Sequence, residues 1–179
     1  DKNGRDAASS ILTTVRNENN IQLALAPYYY FTSSIYEGEC SSNRVALMTA
    51  KNSDTPLYLA KINGKQVYEL VGNYLADFDS DFYVTNKYEL PIASGMKIIV
   101  KDKENGFSLK SIAVNEKKID KEKEYSILLT DITMSILKKL YPECEITQRK
   151  DTTLSSAWAA AMSKGQQPSA PEDYIEVEK

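Results

Sequence analysis

Ala8, Ile11, Leu12 and Val15 recur at the 3.6-residue spacing of one helical face, and the pattern stops in the polar run Asn17–Asn20. This spacing predicts an amphipathic helix opening after Asp6-Ala7. The apolar run Ile21–Ala26, closed by Pro27, predicts a buried strand, and Tyr28-Tyr29-Tyr30-Phe31 begins a loop that reaches Gly38. Leu57–Ile62 mixes apolar and β-favouring residues and predicts a second strand. A turn at Asn63-Gly64 leads from it into a helix with Val67, Leu70, Val71, Tyr74 and Leu75 on one face. Asp77–Asp81 breaks that pattern, and Phe82–Glu89 reads as a connector.

Met96–Val100 and Leu109–Val114 predict two strands joined through the turn-like Lys103-Glu104-Asn105-Gly106. The charge run Lys117–Glu124 reads as a solvated turn. Tyr125–Thr130 is the next strand, Asp131 suits the N-cap of a helix carrying Ile132, Ile136 and Leu140, and Pro142 closes that helix. A last helix starts near Asp151-Thr152, carries Leu154, Ala157, Trp158, Ala161 and Met162 on one stripe, and stops at Gly165 and Pro168. Trp158 and Met162 are therefore core residues, and Tyr174–Val177 reads as an edge strand. Helices and strands alternate irregularly with two adjacent strand pairs. This predicts a single α+β domain over residues 1–179, a layered sandwich of helices and mixed sheet rather than a parallel doubly wound fold.

Composition narrows the chemistry. With 42% apolar residues in 179, the chain can build one core without staples. Its 22 basic and 25 acidic residues are interleaved to a net charge of -3, which leaves no electrostatic footprint for a nucleic-acid polymer or an anionic membrane. Histidine is absent, so the usual proton shuttle and the commonest metal ligand are missing. Two cysteines, Cys40 and Cys144, cannot make a four-cysteine zinc site, and neither a Ser/His/Asp nor a Cys/His catalytic set can be assembled. No catalytic residue is assigned to this domain. Both cysteines lie in polar surroundings, and a disulfide between them or two unpaired thiols both remain open. No apolar run reaches the roughly 18 residues needed to span a bilayer. The abrupt start at Asp1-Lys2-Asn3-Gly4 reads as that of an excised fragment.

Several short motifs occur in a fixed order. Asp6-Ala7 opens a helix, Leu23-Ala24-Leu25-Ala26 precedes a loop ending at Gly38, and Lys61-Ile62-Asn63-Gly64-Lys65-Gln66-Val67 links strand to helix. Ser94-Gly95-Met96-Lys97 enters a strand, Val114–Asp120 precedes a tyrosine-bearing strand, and Thr130-Asp131 follows it. Together, over nearly the whole chain, they resemble the C-terminal domain of the 5'-nucleotidase family. Ala26-Pro27 and the Lys61 to Gly64 spacing are closer to its 2',3'-cyclic-nucleotide phosphodiesterase/3'-nucleotidase branch.

The resemblance implies the substrate-binding half of a secreted or cell-surface metallophosphoesterase that hydrolyses nucleotides or related phosphate esters, inactive alone. It implies no cofactor in this domain, divalent metal ions on an upstream N-terminal metallophosphatase domain, and a nucleotide or other small phosphorylated ligand. Ser94, Gly95 and Asp131 fall on positions that contact substrate in the family. Tyr28, Tyr29 and Tyr30 stand where the family carries the glycines of a Gly-Gly-Ile-Arg loop, and Thr32 where it carries the arginine. The family's two stacking aromatics fall on Ser53 and Ile132, and its glycine loop on Ile136-Leu137-Lys138-Lys139, so the substrate motifs have diverged.

The residues themselves leave alternatives. Tyr28, Tyr29 and Tyr30 either form a replacement stacking platform, worth roughly 1–3 kcal/mol per stacked base, or cover a sheet end or an interdomain contact. Asp131 is a ligand contact or a helix cap, and Ser94-Gly95 a contact or a backbone bend. Beside the enzyme reading stand a degenerate binding or interdomain scaffold of a cell-surface protein, and a lectin-like module whose tyrosines stack on sugars.

Overall fold

In the computed structural model, residues 2–31, 55–76, 90–103, 106–165, 167–172 and 175–178 are described. Helix α1 (Lys2–Glu18) buries Ala8, Ile11, Leu12 and Val15, the face its spacing predicts. Asn20, with φ +52°, helps turn the chain into β1 (Leu23–Ala26). All four residues of β1 are buried because both faces are covered: Leu23 and Leu25 enter one apolar core, Ala24 and Ala26 the other. That is why β1 reads as a continuous apolar run rather than an alternation.

Strand β2 (Pro56–Asn63) passes directly into α2 (Gly64–Ala76), and the turn expected at Asn63-Gly64 is a helix cap instead. The Asn63 N–H donates to Gln66 Oε1 and the Gln66 N–H to Asn63 Oδ1, both at 2.9 Å. This reciprocal pair satisfies two backbone donors at the helix start. The next two are taken by the charge run, since the Gly64 and Lys65 N–H groups donate to the carbonyls of Lys123 and Lys121, each at 3.0 Å. Lys117–Glu124 therefore exposes its charged side chains, as expected, while its backbone docks on α2.

The remaining elements are β3 (Ile92–Ser94), β4 (Lys97–Lys103), β5 (Gly106–Val114), β6 (Lys117–Lys118), β7 (Glu124–Leu129), α3 (Asp131–Leu140), β8 (Ile146–Thr153), α4 (Leu154–Ser163) and β9 (Ile175–Glu178). The strands form two sheets, ordered β3-β1-β7-β2-β8 and β6-β5-β4-β9. The first is mixed, with β1 and β7 parallel and its other neighbours antiparallel. Helices α1 and α4 pack on one face of it through Ala8, Ile11, Leu12, Leu154 and Trp158. The other face meets α2 and α3, and α2 carries Val67, Leu70 and Val71 into the same core as Ile98, Val100 and Ile112 of the second sheet. The expected layered α+β sandwich is thus realised, with its strands divided between two sheets.

Two local expectations change, and the expected C-terminal edge strand is present. Thr130, not Asp131, is the N-cap of α3, and its N–H donates to Thr133 Oγ1 at 3.0 Å. Residues 151–153 belong to β8, and α4 starts only at Leu154 behind a Thr153–Ser156 capping pair. β8 gave no signal because it is an edge strand of polar residues; an edge leaves one side open to solvent and needs no apolar alternation. β9 begins at Ile175 and pairs parallel with β4 at the edge of the second sheet. The connector 82–89 lies outside the described residues. Trp158 is buried and Met162 packs at the margin of the same core. Among the described residues no helix is long and apolar enough to cross a membrane.

Tyr141, which ends α3, ties it to α2 by donating its hydroxyl to Glu69 Oε2. Burial, helped by that bond, pushes its pKa from 10.0 up to about 12. The protonated phenol is the form favoured by folding, so this contribution is complete below pH 10 and is lost as pH rises through about 12. Glu69→Gln is expected to bring the tyrosinate absorbance titration of Tyr141 back towards its ordinary value. An unchanged titration would exclude the carboxylate as a cause.

Candidate ligand-binding site

Parallel pairing of Leu23, Ala24 and Leu25 with Ile127, Leu128 and Leu129 makes β1 and β7 leave the first sheet side by side. β1 exits through Pro27 into a single 3-10 turn, Tyr28–Tyr30, and β7 exits through Thr130 into α3. Tyr30 and Asp131 meet there: the Tyr30 hydroxyl donates to Asp131 Oδ1, which also accepts the Ile132 N–H at 2.8 Å. The Tyr30 ring is 2% exposed and lies in the core with Phe31, Leu128 and Trp158. Tyr28 is half-buried, with the Arg5 guanidinium 5.3 Å above its ring centroid. Arg5 is fixed by bonds to the carbonyls of Leu90 at 3.0 Å and Pro91 at 2.9 Å. Tyr29 contributes its backbone to the turn; its side chain, with Thr32, Gly38 and Ser53, lies outside the described residues. The tyrosine run is therefore divided, Tyr30 covering the sheet end and Tyr28 keeping an accessible ring under a cation.

Ser94 and Gly95 lie elsewhere. β3 runs antiparallel to β1 and pairs Ser94 with Ala24. Three residues of extended chain, roughly 10 Å, separate that point from Pro27. Gly95 has φ +79°, and a Cβ there would stand 2.0 Å from the Gln22 carbonyl oxygen and 2.4 Å from Arg16 Nη1. The glycine is required by conformation and by the close passage of the chain leading into β1.

The polar side of this turn is filled from within. Glu172 Oε2 accepts the Ser94 hydroxyl at 3.0 Å and the Gly95 N–H at 3.3 Å, with Thr13 Oγ1 at 3.4 Å. Thr13 and Ser94 hydroxyls are 2.9 Å apart, and Arg16 Nη2 is 3.6 Å from Glu172 Oε1. Sequence reasoning missed Glu172 because no motif surrounds it; Pro168 and Pro171 mark only an extended segment. A shallow, open cleft lies between Arg5, Asp6 and Ser9 of α1, Ile92 and Ala93 of β3, and Glu172. It has room for about one water molecule and encloses no ligand-sized cavity.

Among the described residues no three His, Cys, Asp or Glu side chains are gathered to hold a metal. Asp131 and Glu172 belong to separate clusters and are engaged by hydroxyl and amide donors. Cys144 carries a free thiol whose pKa burial pushes up; Cys40 lies outside the described residues.

No protein-family model and no curated protein sequence matches the chain. Solved structures are similar to it in fold. A 5'-nucleotidase precursor from Thermus thermophilus aligns over 98% of this chain and 35% of its own, with a TM-score of 0.72 and 14% identity. The NAD nucleotidase NadN of Haemophilus influenzae aligns over 97% and 33%, with a TM-score of 0.68 and 17% identity. The Thermus thermophilus sulfate thiohydrolase SoxB aligns over 95% and 31%, with a TM-score of 0.67 and 15% identity. The chain thus spans about a third of each of these proteins. At such identities the likeness speaks for architecture alone: the chain has a 5'-nucleotidase C-terminal-domain-like α+β fold.

Proposed function

We propose that this chain is the substrate-binding domain of a nucleotidase-like metallophosphoesterase acting on nucleotides or related phosphate esters, inactive by itself. The observation that carries the reading is a fold match over nearly the whole chain to two nucleotidases, of each of which it covers only about a third. In this reading an upstream domain holds the metal ions that activate water and clamp phosphate. The present domain contributes orientation, the term that turns a loose encounter into a reactive one. Tyr28 and Asp131 are the groups assigned to the ligand, since they stand at the carboxyl ends of adjacent parallel strands, where open sheets commonly bind their ligands. SoxB, a sulfate thiohydrolase, has the same architecture, so the fold is compatible with a substrate other than a nucleotide. Location outside the cell or on its surface rests on the family resemblance.

A thermal-shift screen with nucleosides, nucleotides and simple phosphate esters tests the reading. A ligand at 100 times its Kd stabilises by about 2.7 kcal/mol, or roughly 5–10 °C for a domain of this size. Tyr28→Ala is expected to remove about 1–3 kcal/mol of that binding if the ring stacks on a base. No shift with any of these ligands favours the second reading, a scaffold domain that keeps the fold without the ligand. Its supporting observations are the burial of Tyr30, the engagement of Asp131 by Tyr30, and the engagement of Ser94-Gly95 by Glu172.

A further inference from the structure

Helix α1 has a second buried face that its apolar periodicity does not announce. Ser9, Ser10, Thr13 and Thr14 are only 2–4% exposed, yet none is apolar. What covers them is the segment 167–172. The Ser9 hydroxyl donates to the Glu172 carbonyl at 2.5 Å and accepts the Glu172 N–H at 2.9 Å. Ser10 donates to the Ser169 carbonyl at 2.5 Å, and the Ser169 N–H donates to Thr14 Oγ1 at 2.8 Å. No side chain of 167–172 enters either apolar core. The contacts that hold the segment to α1 among the described residues include these hydrogen bonds and the Arg16–Glu172 ion pair, and each such hydrogen bond can be exchanged for water at small net cost.

We propose that Thr13, Arg16, Ser94 and Gly95 form a carboxylate-binding cradle whose resident is the chain's own Glu172, delivered by a detachable strap, residues 167–172. The cradle offers two hydroxyls, one backbone N–H and a guanidinium to a single carboxylate. Charge-assisted donors of this kind select an anion over a neutral group. Arg16 meets its resident by charge rather than by a short hydrogen bond: its Nη1 donates to the Gln22 carbonyl at 2.9 Å and its Nη2 to Asn17 Oδ1 at 2.8 Å, while Glu172 Oε1 stands 3.6 Å from Nη2. The buried Nε has no partner among the described residues. An external carboxylate therefore competes with Glu172 for the same donors, and the Ser94-Gly95 turn opens to a ligand only when the strap lifts. This inference does not rest on the nucleotide reading.

Formate, the charged end of the group that Glu172→Ala deletes, is the probe, compared with sodium chloride at equal ionic strength. The Glu172→Ala protein is expected to gain about 2–4 °C in Tm from formate beyond the change in the unmodified chain, the shift of about 1 kcal/mol of binding. Adding Arg16→Gln to that variant should remove most of the gain. Equal formate responses in Glu172→Ala and the unmodified chain would overturn the proposal, as would a gain that survives Arg16→Gln. Hydrogen exchange reads the strap directly: the Ser169 and Glu172 amides should lose protection in Glu172→Ala while α1 keeps its own, and unchanged protection there would overturn the strap. Should Glu172→Ala not fold, Glu172→Gln serves, with a smaller formate gain expected and a response equal to that of the unmodified chain counting against the cradle. Nucleotide screening of the same variants is read separately, so failure of one proposal leaves the other standing.

Discussion

Gly95→Ala is expected to destabilise the domain by about 2–5 kcal/mol, the largest loss expected from adding a single methyl at a glycine of this chain. Two costs add. Left-handed backbone at φ +79° disfavours any residue with a Cβ by roughly 1–2 kcal/mol. The new methyl also meets the Gln22 carbonyl oxygen, a backbone atom that can move only if the entry to β1 moves with it. Such overpacking typically costs about 1–3 kcal/mol. The midpoint of thermal unfolding should fall by roughly 4–20 °C. Gly95→Asn separates the two costs, because asparagine tolerates left-handed backbone but carries the same Cβ. If the clash dominates, asparagine is nearly as damaging as alanine; a well-tolerated asparagine would mean that the chain before β1 yields.

Gly64→Ala is the second large effect, an expected loss of about 2–3 kcal/mol. Gly64 opens a helix and has no positive φ, so backbone propensity alone favours alanine there by about 1 kcal/mol. Packing reverses the sign. A Cβ at Gly64 would stand 2.1 Å from the Asp120 carbonyl oxygen and 3.0 Å from Ile119 Cγ1, pushing the 119–123 segment off the start of α2. That segment supplies the acceptors for the Gly64 and Lys65 N–H groups, so cap and contact fail together. Gly72 on the same helix is the control: its nearest neighbour to an added Cβ is a Leu109 methyl at 3.9 Å. Gly72→Ala should therefore stabilise by about 0.5–1 kcal/mol. Opposite signs in urea unfolding, at two glycines eight residues apart, are the expected result; like signs would sink the packing argument.

The contrast shows which parts of the fold were legible in the residues. Periodicity exposed α1, β1, β2 and α2 because each turns one apolar face, or two, to a core. β8 was illegible because an edge strand of threonine, glutamine and charged residues has no such face. The motif around Asn63-Gly64 was visible, but its meaning was not. Gln66 and Asn63 cap each other locally, whereas the steric demand on Gly64 comes from residues 119 and 120, which only the folded chain brings near. The candidate site follows the same rule. Tyr30 and Asp131 were both legible as candidates, and the parallel register of β1 and β7 is what joins them. Ser94-Gly95 was legible as a turn; its partner Glu172, 77 and 78 residues away, was not. Hydrogen-bonding partners far apart in sequence leave no periodic trace, so polar clusters are the last features a sequence discloses.

The hydroxyl face of α1 also bears on synthesis. Its partners at Ser169 and Glu172 are 155–163 residues downstream. At about 5–20 residues per second, the helix waits on the order of 8–30 s after emerging before they exist. An apolar face left bare for that time would invite association with other nascent chains. Serine and threonine hydroxyls hydrogen-bond water in the interval, so this face of the helix stays soluble until its partner is made.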